Sequence, residues 1–154
     1  MTASTVLAYP GAAARGAALF SPRDRSSGES ASDGVKILIV EDDFLAASEI
    51  EAVLTDAGYH IVGIANRAEE AVRLSKSEAP DLAIMDIRLV GEPDGIDAAL
   101  EIFRETGIRC SFATAHHDAR MRSRAQDASP LGWLPKPYAQ HALIAMVEKA
   151  LAQL

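Results

Sequence analysis

The sequence predicts an α/β fold: a doubly wound parallel sheet of five strands, in the order 2-1-3-4-5, with helices on both faces. Three observations carry this expectation. Short apolar runs and helix-spaced segments alternate strictly from residue 35 to residue 154, and strict alternation gives parallel strands joined by crossover helices. The runs are nearly continuous in apolar character, as in strands covered on both faces. Each run is followed by acids, a hydroxyl, a lysine or a turn, so the polar chemistry gathers at strand ends.

The elements follow in order. "KILIV" at 36–40 is the first strand. Ala46, Ile50, Val53, Leu54 and Ala57 recur at helical spacing and predict the first helix, opened by Asp43 as N-cap and closed near Gly58. "HIVGIA" at 60–65 is the second strand, followed by a more polar helix over 67–77. "DLAIM" at 81–85 is the third. Ile96, Ala99, Leu100 and Phe103 form the stripe of the third helix, which ends at Gly107. "IRCSFA" at 108–113 is the fourth strand. The polar helix over 117–127 carries Arg120, Arg122 and Arg124, a solvated face or a contact surface. "LGWLP" at 131–135 is the fifth strand, and Leu143, Met146, Val147, Ala150 and Leu151 mark the fifth helix. The whole is a flavodoxin-like pattern, in which ligands bind beyond the carboxyl ends of the strands.

Composition narrows the function. With 49% apolar and 24% charged residues the chain is globular. Its formal net charge of -7 argues against direct nucleic-acid binding, which needs clustered Lys and Arg. Cys110 is the sole cysteine, so an intrachain disulfide is impossible and a reducing cytoplasm is the expected location. No apolar run reaches the ~18 residues that span a membrane, and the N-terminus lacks a basic start and apolar core, so no secretory signal is expected. Ala, Gly, Ser and Pro supply 20 of the first 34 residues, whose charges cancel. Residues 1–34 therefore read as a flexible tail or a misassigned leader, and 35–154 as the domain. The sequence ends at Leu154, soon after the fifth helix. That predicts output by protein contact rather than through an attached output domain.

The strand-end rule gathers a site. The first strand ends in Glu41, Asp42 and Asp43, the third in Asp86, the fourth in Thr114 and the fifth in Lys136. Singly these read as an N-cap (Asp43), turn acids, a strand-end hydroxyl and a surface lysine. Together they form one rim. Clustered carboxylates without thiol or paired imidazole ligands suit a hard divalent cation, Mg²⁺ above all. A cation, a lysine, a hydroxyl and a nucleophilic carboxylate suit a phosphoryl group. His116 and His117 stand together without further nitrogen or sulfur ligands, and read as a solvated helix start rather than a metal site.

Four motifs in this order, "VEDD" (40–43), "MD" (85–86), "FATA" (112–115) and "PKP" (135–137), carry a family resemblance. Over 35–154 the sequence resembles the receiver domain of bacterial two-component response regulators. The resemblance implies that Asp86 is the phosphoacceptor. It implies that Glu41 and Asp42 hold Mg²⁺ with Asp86 and the main-chain carbonyl of Arg88. Thr114 matches the hydroxyl that meets the phosphoryl group, Ala115 the small residue that leaves room for it, and Lys136 the family's lysine, before a bond that is usually cis. Trp133 stands at the aromatic switch position, where the family usually has Tyr or Phe. A bulky indole puts that coupling in question, and Trp133 also reads as a fixed packing residue. "DIRLVGEPDGID" (86–97) lacks the usual Met-Pro and is about one residue longer before Gly95. Arg88 and His116, each two residues beyond a site residue, are placed to tune attack by water or partner docking.

The expected function is thus a phosphorylation-dependent switch rather than a classical enzyme. The donor would be a sensor histidine kinase or histidine phosphotransfer protein, and the output a downstream protein or a homodimer. A phosphate sink and a pseudo-receiver binding module are the alternatives within the fold. A haloacid-dehalogenase-type phosphatase would need a second Asp two residues after the first, where Arg88 stands. A nucleotide switch would need a Gly-rich loop ending in Lys-Ser or Lys-Thr, which the sequence lacks.

Overall fold

The computed structural model describes residues 34–154. The flexible tail expected for residues 1–34 falls, but for Gly34, outside the described residues. The elements are β1 (Lys36–Val40), α1 (Phe44–Asp56), β2 (His60–Ala65), α2 (Ala68–Glu78), β3 (Leu82–Met85), α3 (Gly95–Thr106), β4 (Cys110–Thr114), α4 (Ala119–Ala125), β5 (Gly132–Pro135) and α5 (Gln140–Leu151). A 3-10 turn, Gln126–Ala128, follows α4. The five parallel strands form one sheet in the order β2-β1-β3-β4-β5, as expected for a flavodoxin-like pattern.

The continuous apolar runs are explained by the two faces they serve. Side chains alternate across a strand. Ile37 and Ile39 of β1 and Leu82 and Ile84 of β3 enter the core beneath α1 and α5, with Ile50, Leu54, Leu143 and Val147. Leu38, Val40, Ala83 and Met85 enter the opposite core beneath α2 and α3, with Ala71, Ile96 and Ile102. In β1 after Lys36 and in β3 neither face meets water, and both stay apolar until the acids at the strand ends.

Helix boundaries follow local chemistry. Asp43 caps α1 as expected, its Oδ1 accepting the N–H groups of Leu45 and Ala46. In α1 the fully buried positions are Ala47, Ile50 and Leu54; Ala46 and Val53 are half-buried, and Ala57 is the C-cap. Gly107 ends α3 at φ 79, a conformation a side chain resists. The fourth strand starts at Cys110, two residues later than the run suggested, and the fourth helix is shorter than 117–127. Asp118 opens that helix by accepting the N–H of Met121. Its chain tightens into the 3-10 turn after Ala125.

Candidate functional site

The ladders of the central sheet run one residue past the strands and carry the acids with them. Glu41 N–H donates to the Ala65 carbonyl at 2.9 Å, and Asp86 N–H to the Val40 carbonyl at 2.9 Å. Lys136 N–H donates to the Thr114 carbonyl at 3.1 Å. Each backbone is therefore fixed by the sheet while its side chain emerges on one rim. Glu41 and Asp86 stay buried, at 3% and 7% exposure.

Lys136 joins the two acids. Its Nζ donates to Glu41 Oε1 at 2.6 Å and to Asp86 Oδ2 at 3.1 Å. The remaining oxygens are also held. Glu41 Oε2 accepts the Asp43 N–H at 3.1 Å, and Asp86 Oδ1 accepts the Ile87 N–H at 2.7 Å. Burial pushes the Glu41 carboxyl above its ordinary range, helped by the charge of Asp86 and opposed by the hydrogen bonds from Lys136 and the Asp43 N–H. Burial alone would lower the Lys136 ammonium, but hydrogen bonds and charge from Glu41 and Asp86 outweigh it and hold it above its ordinary value. Lys136 is thus kept protonated where it faces Asp86.

Asp42 is exposed and completes the acidic set. Glu41, Asp42 and Asp86 each offer a carboxylate oxygen, all within 4.8 Å of one another. Three converging oxygen donors, with no thiolate or imidazole among them, fit the ligand preference of Mg²⁺.

The other expected residues are placed as follows. Thr114 is fully buried at the end of β4, and its Oγ1 accepts the His116 N–H at 3.1 Å. Ala115 is exposed, and His116 and His117 are half-buried just before the Asp118 cap. Arg88 is exposed on the loop after β3. The Lys136–Pro137 bond is cis, as the resemblance implied, and Glu92–Pro93 is a second cis bond, which was not anticipated. Trp133 is half-buried and sandwiched. It stacks on Phe112 at 4.5 Å and 19°, and the Arg122 guanidinium lies 4.7 Å over its ring.

Two features of the site's support were not read from the sequence. Gly95 is one. A Cβ there would lie 1.9 Å from the Asp86 carbonyl oxygen, so the start of α3 can press against the end of β3 only with glycine. The other corrects, for Arg124, the reading of the three arginines as a solvated or contact face. Arg124 grips Asp94, the N-cap of α3, through both carboxylate oxygens at 2.9 and 3.1 Å, and reaches Asp97 at 3.2 Å. Burial alone would raise the Asp94 carboxyl, but hydrogen bonds from Arg124 and the Asp97 N–H outweigh it and hold it below its ordinary range. The cap was readable, since Asp94 and Asp97 have capping-box spacing. The arginine, 30 residues away, was not.

Comparison with known proteins agrees with this geometry. The sequence model of the response regulator receiver domain matches residues 37–148. The transcriptional regulatory protein PdtaR of Mycobacterium tuberculosis is 36% identical over 118 residues, 77% of this chain and 57% of that protein. The phyllosphere-induced regulator PhyR of Methylorubrum extorquens is 29% identical over 130 residues, 83% of this chain and 48% of that protein. The chain thus spans about half the length of these relatives. Among solved structures, the signal receiver domain of a modulated diguanylate cyclase from Desulfovibrio desulfuricans superposes with a TM-score of 0.71 at 35% identity, covering 77% of this chain and 94% of that one. A buried lysine-linked acid pair at the strand ends, a five-stranded sheet in receiver order and a family match over most of the chain lead to one conclusion: this protein belongs to the receiver domains of two-component response regulators.

Proposed function

We propose that the chain is a phosphorylation-dependent signalling switch with Asp86 as its phosphoacceptor. The observation that supports this best is Lys136 Nζ, bonded at once to Glu41 and Asp86. A phosphohistidine on a sensor kinase or phosphotransfer protein is the donor. Its N–P bond breaks as an Asp86 carboxylate oxygen forms the new P–O bond, and the imidazole leaves. Lys136, already charged and 3.1 Å from Asp86, neutralises phosphoryl oxygen. Glu41, Asp42 and Asp86, whose carboxylate oxygens converge, would hold Mg²⁺ together with the Arg88 carbonyl that the family resemblance implies, and the ion would supply further charge neutralisation. Thr114 donates its hydroxyl hydrogen to the phosphoryl group, and Ala115 leaves room beside it.

The acyl phosphate then biases the equilibrium of α4, β5 and α5 through the segment from Thr114 to His117 and through Trp133. Arg88 and His116, each two residues beyond a site residue, tune attack by water or the docking of a partner, and self-dephosphorylation is slow. Phe44 and Leu45, 79% and 73% exposed beside the acids, give the donor protein an apolar footing. Among the described residues no helix is long and apolar enough to cross a membrane, which suits a cytoplasmic partner of such a kinase. Output is contact with a downstream protein or a second copy. The Bartonella quintana PhyR, a structural relative with a TM-score of 0.64 at 30% identity over 48% of its chain, is an anti-anti-sigma factor.

Incubation with Mg²⁺ and acetyl phosphate should add one phosphoryl group to the intact mass. Asp86→Asn should abolish the gain. A wild-type chain that gains nothing, or a variant that gains as much, would refute the assignment.

A further inference from the structure

The fourth helix is the least anchored of the five by apolar contact. It is seven residues long, and Ala125 is its one buried residue. Its polar attachments are specific. Arg124 closes a fork on Asp94 and touches Asp97, at side-chain exposures of 35%, 23% and 46%. A two-pronged guanidinium–carboxylate contact fixes orientation as well as distance.

Asp94 is not an ordinary surface acid. It caps α3 through the N–H groups of Ile96 and Asp97, both at 3.0 Å. The next residue, Gly95, is pressed on the Asp86 carbonyl, and its N–H donates to the Ile87 carbonyl at 2.6 Å. From Arg124 to the main chain of Asp86 the connection is therefore short and stiff: one ion pair, one peptide bond and one close packing contact. Val90 N–H, on the same loop, is tied to the Asn66 carbonyl at 3.1 Å, so the loop is held on its other side too.

We propose that Arg124 is a positioning residue that latches α4 onto the loop following Asp86, so that the placement of α4 and the cation affinity of the acidic rim are linked through Asp94, by a route that does not pass through Thr114 or Trp133. The inference rests on the proposed function for its cation and adds to it a second line of communication. Linkage is reciprocal. A partner that draws α4 away weakens the grip on Asp94 and loosens the Asp86–Arg88 turn. A cation that fixes that turn steadies α4.

The test is an NMR titration of the full chain with Mg²⁺, following the amides of residues 86–88. Arg124→Met should raise the Mg²⁺ concentration at half-response by roughly 5-fold, the lower end of usual couplings between sites. Arg124→Lys, which keeps the charge and loses the fork, should fall between the two, and serves alone if the methionine variant does not fold. An unchanged midpoint in the folded variants would overturn the latch, even if their melting temperature fell, because a purely structural contact changes stability and not cation affinity. If wild type shows no Mg²⁺ response, the proposed function fails and the latch is judged by amide exchange without metal. Faster exchange in Arg124→Met at both 94–98 and 119–125 supports it, and faster exchange confined to 119–125 overturns it.

Discussion

Helices α4 and α5 flank the same edge of the sheet and are held by different forces. In α5, Leu143, Met146, Val147 and Ala150 are buried against the sheet. In α4 only Ala125 is, with Met121 partly buried on the same core, and two arginines add the oriented attachments, Arg124 to Asp94 and Asp97 and Arg122 to Trp133 and the His117 carbonyl. Apolar burial is non-directional and is not weakened by charge screening, whereas ion pairs and cation–π contacts are oriented and partly screened by salt. The contrast sets a helix packed by apolar burial beside one whose specific attachments are polar. Weakly packed elements are where motion is expected.

That contrast can be broken from either side. The largest effect should come from α5. Leu143→Ala, at 1% exposure, should cost about 2–5 kcal/mol in urea unfolding. A loss below about 1 kcal/mol, less than a well-packed site gives up, would show that α5 is no more rigidly packed than α4. A smaller effect is expected from Arg122→Ala, about 0.5–1 kcal/mol for an exposed cation–π contact. Its clearer readout is Trp133, the one tryptophan, whose emission should shift to the red and become more open to quenching. Unchanged emission would mean that Phe112 alone seats the indole.

The mildest test is acid. Arg124 holds the Asp94 carboxyl below its ordinary range in the fold. The unfolded chain therefore takes up that proton first, and the contribution is present above the ordinary carboxyl pKa and lost as pH falls through the folded value. Amide protection in 119–125 should accordingly drop at a higher pH than protection in 140–151. Simultaneous loss in both segments would remove the distinction.

Legibility differed along the chain for physical reasons. The strands were readable because a strand buried on both faces is mostly apolar, as β3 is throughout and β1 is after Lys36. α3 and α5 were readable because a helix covering a sheet shows a stripe. α4 was harder, and its length was overestimated, because an element held by charge carries no hydrophobic period. The rim of Glu41, Asp42, Asp86 and Lys136 followed from a topological rule about strand ends, and the described geometry brings these four together. The position of Trp133 could be counted from Lys136. Its packing between Phe112 and Arg122 depends on neighbours 21 and 11 residues away, and no local pattern specifies it.

The sequence by itself determined the parallel sheet and the residues of the rim, since burial and topology leave few choices once five apolar runs alternate with five helices, and likeness to the flavodoxin-like pattern supplied the strand order. Only the tertiary structure decided what braces the rim. Asp94 is a helix cap by sequence, but Arg124 becomes its partner only when α4 is laid beside α3. Gly95 is an unremarkable glycine until the Asp86 carbonyl occupies the place of its missing Cβ. Apolar periodicity is a one-dimensional signal of burial, whereas a fork on a carboxylate or a backbone contact depends on angles and distances that exist only after the elements have packed.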